Sequence, residues 1–466
     1  MTSVPIVVPS LRPLVDGVPF PGTELPDLPT ALAQVQQWID AGEVPIDERS
    51  SRWTAWPDRP EFEPGYGPVS LNTGATGIAW YSLAAADVLD GAERSEHAAR
   101  ARRAIAFVAD AWIDHADDRF LDIAGTGVAH YGGLAGIGDV LLEFADREPA
   151  LRETATAVFD AILARRGAAG DRADGWTGSD ALLGDGGIVL GLLEAADRLG
   201  DARYLDAAAA AGELILAGER RGDDASTWLG VAPELLHLPP ELELDGFELG
   251  TVGIAFVLAR LAQATGDDRY REAAARAARG IAAAATVAGD AAVLRRLGGT
   301  YSFGYCTGSS GVIRAFLGVH QATGDPEHLE WALRFGRGIL RSGVPGRQTP
   351  GNTAVFHQCC GSAAVLESFV GLWQLTGDPL WLEAARAQGD DLLIRAVTDD
   401  RGRRWYSESH VLPTGTLKAE VGHQVGASGI ALALLRLHAA ELAAAGGPSI
   451  RIARLPDDPF PEVPFS

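Results

Sequence analysis

A short glycine motif returns seven times along this chain and limits what it can fold into. The copies read Thr73-Gly-Ala-Thr-Gly77-Ile, Gly132-Gly-Leu-Ala-Gly136-Ile, Leu183-Gly-Asp-Gly-Gly187-Ile, Leu249-Gly-Thr-Val-Gly253-Ile, Thr307-Gly-Ser-Ser-Gly311-Val, Cys360-Gly-Ser-Ala-Ala364-Val and Val425-Gly-Ala-Ser-Gly429-Ile. Their spacing of roughly 50–65 residues is the range in which one supersecondary unit repeats and must stack on its neighbours to bury a core. Each copy opens a run that is apolar on most faces, such as Ile188-Val-Leu-Gly-Leu-Leu-Glu-Ala-Ala-Asp-Arg-Leu, and all-round apolarity marks a buried helix. Four of these runs end in Gly-Asp, at Gly200-Asp201, Gly266-Asp267, Gly324-Asp325 and Gly377-Asp378. Gly supplies a left-handed C-cap and Asp an N-cap for the next helix. That next helix is amphipathic, as in Tyr270-Arg-Glu-Ala-Ala-Ala-Arg-Ala-Ala-Arg. The pattern predicts an all-α chain, an α/α toroid of seven helical hairpins with an inner and an outer ring.

On this reading residues 69–446 form the toroid. Residues 1–68 form a Pro-rich N-terminal extension with one helix over Asp27–Gly42, and residues 447–466 form a tail packed on the toroid. The stretch Trp53–Pro68 holds too much Pro and Gly for regular structure. A composition 47% hydrophobic and rich in Ala and Leu suits a large helical core. The net charge of −23 argues against nucleic acid or an anionic membrane as partner. The first ten residues lack a basic stretch and their apolar run is cut by Pro, so they do not read as a signal peptide. No uncharged apolar run reaches the ~18 residues of a membrane span. A cytoplasmic location is expected.

The chain has three cysteines, which cannot all pair. Cys306 lies two residues before Gly308, and Cys359 and Cys360 lie two and one before Gly361. In a ring these become neighbouring loops at one mouth, where three thiolates select zinc and leave a fourth position open, the pattern of a catalytic site. The plainer alternative is buried free cysteine acting as a small hydrophobe. The shared offset from the repeat glycine favours Zn2+.

Seven G-x-x-G hairpins, Tyr305-Cys306-Thr-Gly-Ser-Ser-Gly311 in the fifth and Cys359-Cys360-Gly361 in the sixth resemble the lanthionine synthetase C-like family. The tail Arg454-Leu-Pro-Asp-Asp-Pro-Phe is similar to that of stand-alone actinobacterial members. The resemblance implies a zinc-dependent cyclase that adds a thiol to dehydroalanine or dehydrobutyrine, forming a thioether in lanthipeptide biosynthesis. The implied ligands are Cys306, Cys359 and Cys360, with Cys360 where the family usually has His. Asp180 matches the family's active-site Asp in D-x-x-x-G-x-x-G-I. The implied substrate is a dehydrated precursor peptide or a small thiol, with separate dehydratase proteins as partners.

The chain departs from the pattern at Leu249, where the family has a His, and at Ser302 and Thr307, where it has Arg and an aromatic or His. His423, three before Gly426, is the substitute for the missing acid–base group, since His titrates near neutral pH. His357, two before Cys359, reads as a support or pocket wall. Tyr305 and His130 sit at similar points of their repeats. Two other readings compete. One is a zinc- and peptide-binding scaffold without catalysis. The other is a carbohydrate-active toroid with paired carboxylates, suggested by eleven Trp.

Overall fold

The computed structural model of the chain describes residues 25–59, 67–116, 126–167, 175–231, 245–295, 301–346, 355–408 and 417–464. The inner helices are α2 (Ala75–Val88), α4 (Leu134–Ala145), α6 (Asp185–Leu199), α8 (Thr251–Thr265), α10 (Ser309–Thr323), α12 (Ser362–Thr376) and α14 (Ala427–Ala444). Six of them are followed by an outer helix: α3 (Gly91–Ala111), α5 (Leu151–Ala164), α7 (Ala202–Ala217), α9 (Asp268–Ala284), α11 (Pro326–Ser342) and α13 (Pro379–Arg395). Each inner helix packs on its own outer helix and on the inner helices before and after it, and α14 packs back on α2. The ring therefore closes as an α/α toroid. Strands among the described residues form only two-stranded ribbons.

The seventh pair is completed across the chain. Among the described residues no outer helix follows α14, and α1 (Leu28–Asp40) packs on α14 in that position. Leu32, Val35, Trp38 and Ile39 are the buried face of α1. In space this helix belongs to the outer ring, although in sequence it stands in the N-terminal extension. Trp53 and Trp56 from the Pro-rich stretch are also buried, while residues 60–66 and 1–24 lie outside the described residues.

Burial follows the two helix classes. From Thr251 to Ala259 every residue of α8 is buried, whereas α9 buries the single face Tyr270, Ala273, Ala274, Ala277, Ala278 and Ile281. The Gly-Asp junctions behave as expected. Gly200, Gly266, Gly324 and Gly377 adopt φ of 72°, 72°, 70° and 72°. Asp201, Asp267, Asp325 and Asp378 each accept a hydrogen bond from the backbone N–H two residues on. Among the described residues only α14 is long and apolar enough to cross a membrane, and here it is a largely buried inner helix of the ring.

The last turns of chain do not lie on the outside. Residues from Arg451 to Phe460 enter the ring between inner helices. Phe460 packs on Gly371 of α12, where a Cβ would come within 2.3 Å of its ring. Asp458 pairs with Arg314 of α10 at 3.2 Å, Arg436 of α14 at 3.4 Å and Arg454 at 2.6 Å. Glu367 of α12 completes the cluster, 2.8 Å from Arg436.

Candidate metal centre

The loops that enter the inner helices meet at one end of the ring, and their backbones are joined in series. Leu183 N–H donates to Glu248 O, Glu248 N–H to Cys306 O, Cys306 N–H to Cys359 O, Cys359 N–H to Gln424 O, Gln424 N–H to Asn72 O and Asn72 N–H to Tyr131 O, at 2.9–3.0 Å. These bonds close six of the seven loop junctions among the described residues. With Leu183 one place further on, the residues concerned stand two before the first glycine of each repeat, so the repeat offset becomes a height along the ring axis. Close approach is needed between the fifth and sixth loops. A Cβ on Gly304 would lie 2.4 Å from the Cys360 backbone carbonyl carbon, so only glycine lets Cys306 reach the second pair of thiols.

The three sulfurs lie within 4.8 Å of one another. Cys306 Sγ is 3.0 Å from Cys360 Sγ, and Cys359 Sγ is 3.2 Å from Cys360 Sγ. Hydrogen bonding to Cys306, reinforced by burial, pushes the Cys359 and Cys360 thiols well above the ordinary range. Three thiolates could not share this space unaided, because like charges in a buried site repel. A divalent cation with an affinity for soft sulfur removes that conflict, so the donor set fits zinc.

A fourth group stands beside them. Glu248 Oε2 lies 3.8 Å from Cys359 Sγ, which donates to it. Glu248 is almost wholly buried. Burial, followed by the charge of Cys306, pushes its carboxyl up to about 8. Sequence reasoning missed this residue, yet the signal was present: Glu248 precedes Gly250 by two, as Cys306 precedes Gly308. The ring accordingly puts Glu248, Cys306 and Cys359, each two before its repeat glycine, on adjacent loops. His357 lies at the same loop, where its Nδ1 is 3.4 Å from the Cys360 amide nitrogen.

The other candidates sit elsewhere. The carboxylate of Asp180 is not part of the thiol cluster; it is buried and packs against Gly218 at the end of α7. His423 is 3% exposed, and its Nδ1 has no hydrogen-bond partner. Burial, helped by Arg436, lowers it to about 3, so it is a neutral imidazole at pH 7. It lines a small, partly open chamber with Gln358, Gln424, Tyr305 and the tail residue Asp457. His130 pairs with Asp139 of α4 at 2.9 Å, both fully buried. Leu249, Ser302 and Thr307 occupy their loops without acid–base chemistry, and Ser302 and Thr307 are buried.

The family model for lanthionine synthetase C-like proteins matches residues 65–450. The chain belongs to the lanthionine synthetase C-like family. The matched region spans all seven glycine motifs and both cysteine segments. Among solved structures the chain is similar to nisin cyclase, at 13% identity over 80% of this chain and 89% of that one, with a TM-score of 0.60. A GH76 alpha-mannanase of Bacteroides thetaiotaomicron matches at 14% identity over 90% of this chain and 98% of that one, with a TM-score of 0.44. A sugar epimerase from a ruminal bacterium matches at 12% identity over 87% and 98%, also at 0.44. No curated protein sequence matches the chain.

Proposed function

We propose that this family member is a zinc-dependent cyclase that adds a thiol to a dehydroamino acid. Cys306, Cys359 and Cys360 would hold the zinc ion. Bound there, zinc lowers the pKa of a further thiol so that its thiolate predominates near neutral pH. The observation that carries this reading is the meeting of three cysteines from two repeats, with sulfurs within 4.8 Å, on a family-matched toroid.

The substrate thiol and dehydroalanine or dehydrobutyrine share one dehydrated peptide, or a small thiol supplies the sulfur. The C–S bond forms at the β-carbon, and the proton released by the thiol is returned at the α-carbon, so nothing leaves. Residues of this chain must orient the alkene and manage that proton. Glu248, in contact with Cys359, is the carboxyl group placed to serve the thiols and joins the candidates. Asp180 remains the family-matched carboxylate, one repeat before it. His423, as a neutral imidazole, would act by donating an N–H rather than as a cationic acid. The dehydrated substrate would be supplied by dehydratase proteins, and the acidic composition is compatible with the cytoplasm.

A second reading is favoured by Leu249, Ser302 and Thr307, which stand where the family pattern places working side chains. On that reading the same centre binds zinc and peptide without turnover. One experiment separates the two. Purified protein is incubated with a dehydrated, Cys-containing peptide, and remaining thiols are alkylated and counted by mass spectrometry. Loss of free thiol at unchanged peptide mass is the expected result. Persisting thiols with a full zinc equivalent bound would select the scaffold.

A further inference from the structure

The tail brings a second set of buried charges to the loops that carry the thiols. Asp457 is 1% exposed. Its Oδ2 accepts hydrogen bonds from Tyr305 Oη at 2.5 Å and Tyr131 Oη at 2.8 Å. Tyr305 is the residue before Cys306, and Tyr131 is the second-repeat member of the loop series. One carboxylate from the chain's end therefore ties the second loop to the fifth. The two rings also touch edge to face, with centroids 5.9 Å apart, and Arg314 lies over the Tyr305 ring at 5.4 Å.

The chamber beside this contact is walled by chain neighbours of the thiols. Tyr305 adjoins Cys306, Gln358 adjoins Cys359, and Gln424 offers the carbonyl that accepts the Cys359 N–H. None of the three thiols lines it. Its walls are polar and incompletely satisfied: Gln358 Oε1, Gln424 Nε2, His423 Nδ1 and Trp80 Nε1 are buried with no hydrogen-bond partner. A tail that served only to fill the ring would be cheaper in apolar side chains, because burying a carboxylate costs several kcal/mol before its partners repay it. Short hydroxyl-to-carboxylate bonds are among the stronger ones and fix geometry as well as energy.

We propose that the C-terminal tail is a working part of the thiol site, in which Asp457 is a positioning residue that clamps Tyr305 and thereby sets Cys306 against Cys360. The inference rests on the metal-centre reading for one of its readouts only. Tyr305 is bonded directly to Cys306, and the residue before it, Gly304, presses on Cys360, so the side-chain clamp acts on a segment whose backbone already lies against the sixth repeat. Release of the clamp would leave Cys306 held to the sixth repeat by backbone bonds alone and free its side chain to move relative to Cys360.

The test uses the full chain and the variants Asp457→Ala, Asp457→Asn, Tyr305→Phe and the double Asp457→Ala/Tyr305→Phe. Zinc affinity is measured by competition with a chromophoric chelator. In metal-free protein, the rate of iodoacetamide labelling at Cys306 is followed by peptide mass spectrometry, with far-ultraviolet circular dichroism to confirm the helices. Asp457→Ala and Tyr305→Phe are each expected to weaken zinc about tenfold, the order seen when a residue supporting a metal ligand is removed, and to speed Cys306 labelling several-fold. Asp457→Asn, which keeps an acceptor oxygen, should recover part of both losses. The double variant should be no worse than the worse single one, the non-additivity of two groups acting through one contact. Zinc affinity and labelling within twofold of the parent in Tyr305→Phe would overturn the proposal; that variant loses one oxygen, so it decides the matter even where Asp457→Ala fails to fold. If the parent protein binds no zinc, the metal reading falls, and the Cys306 labelling rate alone decides this one.

Discussion

The two polar regions of the ring are built on opposite plans. At the loop end, three thiols and Glu248 crowd together, and the side-chain contacts described among them join thiols to one another and to a carboxyl group. Around the tail, Asp458 and Glu367 are matched by Arg314, Arg436 and Arg454. The first region is a set of donors that wants a positive ion from outside. The second supplies its own counter-charges, although Arg314 Nε and Arg436 Nε are left buried without a hydrogen-bond partner. Buried charge near a ring axis is therefore no mark of function in itself; the mark is a donor set whose charge the chain leaves unbalanced.

Variants can break that contrast, starting with the largest effect. Cys306→Ala and Cys360→Ala should each reduce bound zinc to below about a tenth of an equivalent and abolish cyclisation, as metal content and thiol alkylation would report; two sulfurs no longer make a site. Full zinc in Cys360→Ala would rule out the three-thiol centre.

Asp458→Asn should destabilise the toroid by roughly 3–5 kcal/mol in a denaturant melt, since it strands buried guanidinium groups, while zinc stays bound. The pH profile gives this prediction its sign. Burial would raise the Asp458 carboxyl, but Arg314, Arg454 and Arg436 overcome it and hold it well below the usual carboxylate range. Its contribution is complete above the unfolded value of about 4 and is lost as pH falls toward the folded value. The parent should lose stability steeply below about pH 4, and Asp458→Asn should lose less there.

Glu248→Gln tests whether the fourth group belongs with the thiols or merely sits beside them. The expected result is a full zinc equivalent with cyclisation slowed by roughly 10²-fold, within the span of a lost acid–base group. Unchanged turnover would return Glu248 to a packing role. His357→Ala should be milder, weakening zinc by about tenfold as residues supporting metal ligands do. Smallest of all, Asp378→Ala should cost about 1 kcal/mol through the lost cap of α13, with no change at the thiols.

Much of the ring could be read from residue order. The glycine motif marked every inner-helix start, and the Gly-Asp pairs marked four turns to the atom, because caps and tight turns depend on neighbours within a few positions. The cysteine offset foretold that Cys306, Cys359 and Cys360 would meet. Applied to the fourth repeat, the same offset points to Glu248, the neighbour of Leu249, where the family has a His. His423 and Asp180 are placed by the same kind of reasoning. They stand three and four residues before their repeat glycines, where the thiols stand one or two before; one lines the tail chamber and the other lies against Gly218, because an offset gives height along the axis and not the direction of a side chain.

Residue order by itself determined the helical repeat, the closed ring and the meeting of the thiols, all of which follow from period and local capping. Tertiary structure alone decided that α1 serves as the seventh outer helix, that the tail runs inward, and that Asp457 grips Tyr305 from 152 residues away. Those outcomes belong to chain ends, where the repeat stops and no period remains to read. What settles them is the space and the unpaired charge that the closed ring leaves for the ends to fill.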